Sequence, residues 1–456
     1  MDKFQSLATT FSELVWGPWL LVLLLGGGLF FLVFSRFVPF RYLSHALDLL
    51  SGRYDADDDP GQITHFQALS SALAGTVGMG NIAGVALAIT VAGPGAIFWM
   101  WVTAILGIAT KFFTCTLAVM YRGEDSNGEL QGGPMYVITQ GLAHRWHFLA
   151  YFFAAVGLIG ALPAFQANQL VQLLREVVFI ENGWLDAGAD HFAFNMTVGL
   201  CITIITGIVI FGGISRIASV ASRLVPFMAL AYLGSASLAI LLNLGELPGV
   251  FMLILRDAFT GEAVGGGALL GVILYGVQRG AYSNEAGIGT EALAHGAAKT
   301  AEPVREGLVA MLGPIIDTLL ICSATAFVIL LSGEWAQDSG NGVTLTVAAF
   351  EQLLGVAGVI VVIVSAICFA ITTIFTYSFY GSQCASFLFG ANRRQLYRCA
   401  YLAFIVVAGV VTLETAIGII DGAFALMAIP TMLSALLLAP KVKSAAVRYF
   451  AQLDGG

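Results

Sequence analysis

Charged residues are scarce in this chain. Its 456 residues include 20 Lys or Arg and 28 Asp or Glu, 11% in all, against about 25% in a typical soluble domain. So little charge cannot cover a water-facing surface, which excludes a soluble globular protein. With 58% hydrophobic residues the composition is that of a membrane protein. Paired cysteines are lacking too. Cys115, Cys201, Cys322, Cys368, Cys384 and Cys399 lie scattered in or beside apolar runs, with no C-x-x-C spacing and no histidine pairing of zinc type. Disulfide frameworks and zinc sites are thereby set aside. The formal net charge of -8 and the want of any basic run argue against a nucleic-acid partner. The apolar run from Trp16 to Phe40 is too long for a leader core and has no small-residue cleavage site, so the first span is expected to be retained.

What the sequence does have is apolar runs of bilayer length. A hydrocarbon core of about 30 Å takes about 20 residues of helix, and such runs number about eleven. They cover 16–40, 66–92, 95–121, 147–178, 192–213, 224–245, 267–297, 306–332, 357–381, 396–416 and 418–440. An all-α integral membrane protein is predicted. VTLTVAAFEQLL (343–354) and VFMLILRDAF (250–259) read as short surface helices. Loops on the cytoplasmic side collect Lys and Arg, and the spans sort the basic residues sharply. Of 20, only Lys3, Arg175 and Arg256 fall on one side and Lys111 and Arg279 within spans, leaving fifteen on the other. The N-terminus is therefore expected outside and the C-terminus in the cytoplasm.

Two spans are interrupted by glycine. The second carries GTVGMGNIAG (75–84) and the seventh YSNEAGIGTEA (282–292). Each glycine inside a helix costs roughly 1 kcal/mol relative to alanine, and Asn81 adds polar groups where water is excluded. Close helix packing through Gly80 and Gly84, a G-x-x-x-G pair, is one reading. GMGNIA also fits a dinucleotide-binding fingerprint, but that needs a preceding strand and an acid about 20 residues on. Here the next acid is Glu124, so the fingerprint is discarded. The third reading is a discontinuous helix, whose second half offers free N–H groups to a carboxylate and whose first half offers carbonyls to a cation. The two interruptions lie five spans apart. An odd offset reverses direction across the membrane, so the chain is expected to be one N-terminal helix plus a 5+5 inverted repeat with two discontinuous helices. The corresponding divisions are 1–65 (first helix and linker), 66–245, 246–440 and a 441–456 tail. Interrupted helices at matching positions of two repeats point to a transporter's binding site.

The motifs also resemble a known family. GPGAIFWMWVTAILG (93–107), GGPMYVI (132–138), GGISRIASVASRLVPFMA (212–229), RGAYSNEAGIGTEALAHGAA (279–298) and EPVREGLVAMLGPIIDTLLICSATA (302–326) are similar to those of the alanine or glycine:cation symporters. The resemblance implies a LeuT-type fold with one extra N-terminal helix. It implies sodium-coupled symport of a small neutral amino acid across the cell's plasma membrane, with Na+ as coupling ion and no organic cofactor. It places the substrate carboxylate on N–H groups at Gly78, Met79 and Gly80, with Gln166 as a polar contact. Asn284 and Ile288 then shape the amino end and side-chain pocket. Sodium would sit between carbonyls near Ala74 and Val77 and the hydroxyls of Thr372 and Thr373. The chain departs from the family where Met79 replaces a commoner Thr, where Pro163 and Phe165 replace a Gly-Asn-rich stretch, and where Thr114 follows Lys111 in place of Glu.

Ionisable groups inside spans are costly and call for a role. Glu285 reads as a cation or gating group or as a hydrogen-bonded anchor, and Arg279 as its partner or as a snorkelling side chain. Asp317 reads as a brace between helices or a coupling group, and Lys111 as half of an ion pair or a mimic of a bound cation. Thr372 and Thr373 could equally bond their own helix. His65 and His295 read as interfacial, and Glu414 and Asp421 as solvated in an outer turn. Proton coupling to another small amino acid is the alternative within transporters. An intramembrane enzyme would need a nucleophile and base that the sequence does not offer, and a channel would be built from repeated pore elements of an oligomer. Lipid and a small amino acid are the implied partners; oligomeric state is not legible.

Overall fold

The computed structural model describes residues 2–56, 58–260, 269–337, 340, 342–410 and 413–454. Nearly all of it is helix, joined by a short antiparallel hairpin of Gly123–Glu124 with Leu130–Gln131. Among the described residues, seven helices are long and apolar enough to cross a bilayer: Ala96–Met120, His144–Ile180, Phe192–Ile210, Gly213–Leu242, Pro303–Ser332, Val356–Phe389 and Gly418–Leu453. An eighth candidate is the pair His65–Thr76 and Gly80–Ala92, bent by 52° at the break. Pro18–Phe34, Leu269–Asn284 and Arg394–Val410 are shorter and run where the first, seventh and tenth expected spans lie. The start of the expected seventh span, 267 and 268, and the side chain of Glu414 lie outside the described residues.

Local chemistry sets the ends and bends that matter for the interior. Thr64 starts the first interrupted helix with a capping box: its hydroxyl accepts from the Gln67 N–H at 3.2 Å, and Gln67 Oε1 accepts from the Thr64 N–H at 3.1 Å. Pro163 cannot donate to a helix ladder, so the span His144–Ile180 opens between Phe148–Gly160 and Ala164–Leu173. Gln166 comes one turn after that opening, in the protein interior. Lipid tails are as apolar as leucine, so helices associate in a bilayer through close packing. Leu269–Asn284 accordingly meets Ala96–Met120 through glycine: a Cβ on Gly276 would fall 2.6 Å from the Ala96 carbonyl oxygen.

Two peripheral expectations change. VTLTVAAFEQLL is the helix Val343–Leu354, but it is no surface element, since Val343, Leu345, Val347, Ala349 and Phe350 are all buried. Residues 441–454 of the expected tail continue the last helix, Ala428–Asp454, which buries Val442, Ala445 and Ala446. Asp421 is not solvated. The N-terminal helix Asp2–Val15 folds over it, so that Asp421 is 6% exposed and accepts from Ser12 Oγ at 3.1 Å and Gln278 Nε2 at 3.3 Å.

Candidate substrate and cation site

The first interruption spans Val77 to Met79. After it the chain resumes as a π-helical turn, Gly80–Gly84, a geometry that recurs at functional sites. The Gly78 N–H donates to Asn81 Oδ1 at 2.9 Å, and the Met79 N–H donates to Gln166 Oε1 at 2.9 Å. Gln166 thus holds the backbone donor that the sequence reading reserved for a carboxylate. Beside this turn the interior is unfilled. A Cβ added at Gly84 would meet no atom within 4 Å, and one at Gly80 only Tyr282 Cδ1 at 3.9 Å, although both glycines are buried. Tyr282 stands in an aromatic chain, 6.1 Å from the Phe165 ring and 5.3 Å from the Phe424 ring.

The second interruption follows Leu269–Asn284 and ends at Thr290–His295. Its backbone turns through left-handed conformations at Glu285 (φ 57°), Gly287 (φ 86°) and Gly289 (φ 100°). A non-glycine residue held there costs of order 1 kcal/mol and persists only where its surroundings fix it. The Glu285 carboxylate is fixed: it accepts from Thr290 Oγ1 at 2.5 Å and from the Tyr377 hydroxyl at 2.7 Å. Asn284 donates to Thr318 Oγ1 at 3.3 Å and accepts from the Ala286 N–H at 3.0 Å. The Ile288 carbonyl accepts from Thr431 Oγ1 at 2.9 Å.

Asn81 and Asp317 tie the two interruptions together. The Asp317 carboxylate accepts from Asn81 Nδ2 at 2.6 Å, Ser283 Oγ at 2.8 Å and Thr318 Oγ1 at 2.7 Å, all fully or nearly fully buried. One carboxylate therefore spans both broken helices and the π-helical segment Ile315–Cys322. Asn81 is thus paired at both ends of its amide, Oδ1 with the Gly78 N–H and Nδ2 with Asp317, which compensates it for its place in the interior.

The remaining sequence-predicted residues divide. Thr373 lies against the first break, its Oγ1 where a Cβ on Gly78 would come within 2.6 Å; the hydroxyl donates to the Phe369 carbonyl at 2.9 Å. Thr372 donates to the Cys368 carbonyl of its own helix at 2.8 Å and borders Met228. Ala74 and Val77 are buried at the end of the first half-helix. Arg279 does not pair with Glu285 among the described residues. It turns back one helical turn to the Tyr275 hydroxyl at 2.8 Å and lies over that ring, within electrostatic reach of Asp421. Lys111 is buried with Gly313 against its ammonium end and acts electrostatically on Glu285, Glu291 and Asp317. Thr114, the departure noted beside it, donates to Glu291 Oε1 at 3.1 Å.

A buried cluster at the arginine-rich end overturns the interfacial reading of two histidines. His65 starts the first interrupted helix, His295 ends the second, and both rings place Nδ1 on the Glu306 carboxylate; exposures are 1%, 0% and 0%. A carboxylate only accepts, so both Nδ1 atoms donate. Nothing in the spacing joins residues 65 and 306. The available signal was that all three stand at span ends on the same side.

Comparison with known proteins agrees with this geometry. A sequence profile described as the sodium:alanine symporter family matches residues 1–456. The "Sodium/alanine symporter AgcS" of Methanococcus maripaludis is 40% identical over 447 residues, 97% of this chain and 96% of that protein. An "Uncharacterized transporter YflA" of Bacillus subtilis is 39% identical over 447 residues, 96% of this chain and 92% of that protein. Among solved structures, MhsT in complex with L-phenylalanine superposes with a TM-score of 0.58 over 84% of this chain and 98% of that one, at 15% identity. That likeness shows a LeuT-type fold. The chain belongs to the sodium:alanine symporter family, which is a family of transporters and not of enzymes.

Proposed function

We propose that the chain is a sodium-coupled symporter that carries a small neutral amino acid, alanine or glycine, into the cell by alternating access. In this reading it sits in the plasma membrane with its N-terminus outside and its arginine-rich end in the cytoplasm. The observation that carries the proposal is the pair of interrupted helices, joined through Asn81, Asp317 and Ser283, with unfilled space beside Gly80. The N-terminal end of a half-helix presents donors without partners in their own helix, and a carboxylate satisfies them. Gln166 holds the Met79 N–H when no substrate does. An arriving carboxylate takes that donor, and the freed amide turns its Nε2 to the substrate. Asn284 and the carbonyls of the second break receive the ammonium, and Ile288 limits the side chain.

Oxygen ligands suit a hard cation. Carbonyls at Ala74 and Val77 with the Thr373 hydroxyl supply them, and Thr372 joins by turning from its own helix. One cation falling through about 100 mV releases roughly 2.3 kcal/mol, enough for about a fiftyfold substrate gradient. Glu285, buried at the second break, favours proton coupling as the second reading. The two are separated by uptake of labelled alanine into proteoliposomes. Thr373→Val is expected to raise the sodium concentration for half-maximal uptake about tenfold or more, while Thr373→Ser does not, and a proton gradient without sodium drives none. An unchanged sodium dependence in Thr373→Val would remove this residue from the cation site. Uptake driven by the proton gradient alone would favour Glu285.

A further inference from the structure

A cavity of about 350 Å3 opens at the arginine-rich end, away from the interrupted helices. It lies along the helix Val356–Phe389, which carries Thr373 and also Phe379, Ser382 and Gln383 of the cavity wall. Nine residues separate Thr373 from Ser382, about 14 Å of helix. Thr376, Phe379 and Gln383 recur at helical spacing on one face, so that face leads from the candidate site to the cavity.

The wall is built for an anion. It includes Gly213, Ile214 and Ser215, the first turn of the 30-residue helix Gly213–Leu242, and Arg394 and Arg398, the first turn and a half of Arg394–Val410. The start of Gly213–Leu242 presents N–H groups that have no partner in their own helix, with the positive end of the helix dipole behind them, whereas the Arg394 N–H already donates to the Ala391 carbonyl. The charges are unequally committed. Arg394 bridges to Asp125 and to Glu129 in the hairpin, yet its Nε is buried without a hydrogen bond. Arg398 makes no ion pair or hydrogen bond among the described residues. The Gln383 side chain is 7% exposed and likewise has no hydrogen-bond partner among them, so its amide faces the cavity. Of these groups the Arg394 Nε is the buried one, and such a group is ordinarily satisfied, by protein or by something bound. Glu129, at the rim, is the one acidic lining residue and offers an acceptor for an ammonium group.

We infer that this cavity is an exit station that binds the carboxylate of the departing amino acid, with Arg398, Gln383 and the start of Gly213–Leu242 as its ligands. The inference rests on the transport reading and orientation above. After release from the first break the zwitterion is held with its carboxylate toward Arg398 and its ammonium toward Glu129, then passes to the cytoplasm. Inorganic phosphate has the same oxyanion chemistry and serves as a probe.

The test uses the full chain in proteoliposomes, with alanine exchange measured from each face separately. Arg398→Gln is expected to raise the half-saturating alanine concentration at the cytoplasmic face about tenfold, leaving the outer face within about twofold. Arg398→Lys should recover most of the loss, and Gln383→Leu should move the same face in the same direction. Phosphate at the cytoplasmic face should compete with alanine in the parent protein and not in Arg398→Gln. Equal half-saturation at the cytoplasmic face for parent and both variants would overturn the station. So would an effect of Arg398→Gln seen only in vesicles containing anionic lipid, which would identify a lipid headgroup as the occupant. Sodium-driven uptake by the parent protein reports on the transport reading independently.

Discussion

Replacing Gly80 with valine is expected to abolish alanine uptake, by about 100-fold or more, in a protein that still folds. The two halves of this expectation come from different observations. Tolerance comes from the empty side of the turn: the nearest atom to an added Cβ is Tyr282 Cδ1 at 3.9 Å, so the substrate-free protein has room for the new side chain. Loss of function comes from the same space, since the methyls of valine would occupy the volume that the substrate carboxylate must enter. Excluding that carboxylate forfeits charge-assisted hydrogen bonds, worth roughly 1.5–3 kcal/mol each. Two such bonds, about 3–6 kcal/mol together, account for about 100-fold at the least. Gly78→Ala makes the contrast, because its Cβ would lie 2.6 Å from Thr373 Oγ1 and 3.1 Å from Gln166 Oε1; it should disturb the resting packing itself. Size-exclusion chromatography in detergent and labelled-alanine binding separate the cases. A monodisperse Gly80→Val protein that binds alanine with parental affinity would return the glycines to a packing role.

Asp317→Ala is expected to lower stability on the order of 3–5 kcal/mol, because it strands several buried donors at about 1–3 kcal/mol each. Asp317 is the acceptor for Asn81, Ser283 and Thr318 at 2.6–2.8 Å, and alanine would strand those donors where no water can replace it. The thermal midpoint in detergent should fall on the order of 5 °C. Asp317→Asn keeps the volume and one acceptor oxygen, so it should recover part of the loss. A midpoint for Asp317→Ala equal to the parent's would show that the two interruptions are not held together through this carboxylate.

The sequence was most informative where one residue type forces a local event. The glycines of GTVGMGNIAG mark a real break with a 52° bend, and YSNEAGIG marks another, with positive φ at Glu285, Gly287 and Gly289. It was least informative about which elements meet. VTLTVAAFEQLL was legible as a helix but not as a buried one, because an apolar helix face looks the same whether protein or lipid headgroups cover it. Asp421 reads as solvated until the N-terminal helix brings Ser12 over it. Closeness in sequence offers Arg279 to Glu285 as a partner, or to an interface by snorkelling, but the left-handed turn at Glu285 takes the carboxylate to Tyr377 and leaves Arg279 with Tyr275. The His65, Glu306 and His295 cluster joins residues 241 apart, a tertiary fact no local pattern encodes.

At the candidate site the same division holds. Gln166 stands 2.9 Å from the Met79 N–H, Thr373 beside Gly78, and Asp317 between the breaks. Thr372 bonds its own helix in this state, and Arg279 lies apart from the second break's carboxylate. The departure at Met79 is a buried side chain in the same turn, where a thioether offers no hydroxyl to a substrate.

Sodium dependence is the property on which the whole proposal turns. Uptake of labelled alanine into proteoliposomes should be measured with sodium replaced by choline at constant pH and membrane potential. A collapse to the level of protein-free vesicles is the predicted result. Uptake undiminished in choline would contradict sodium symport.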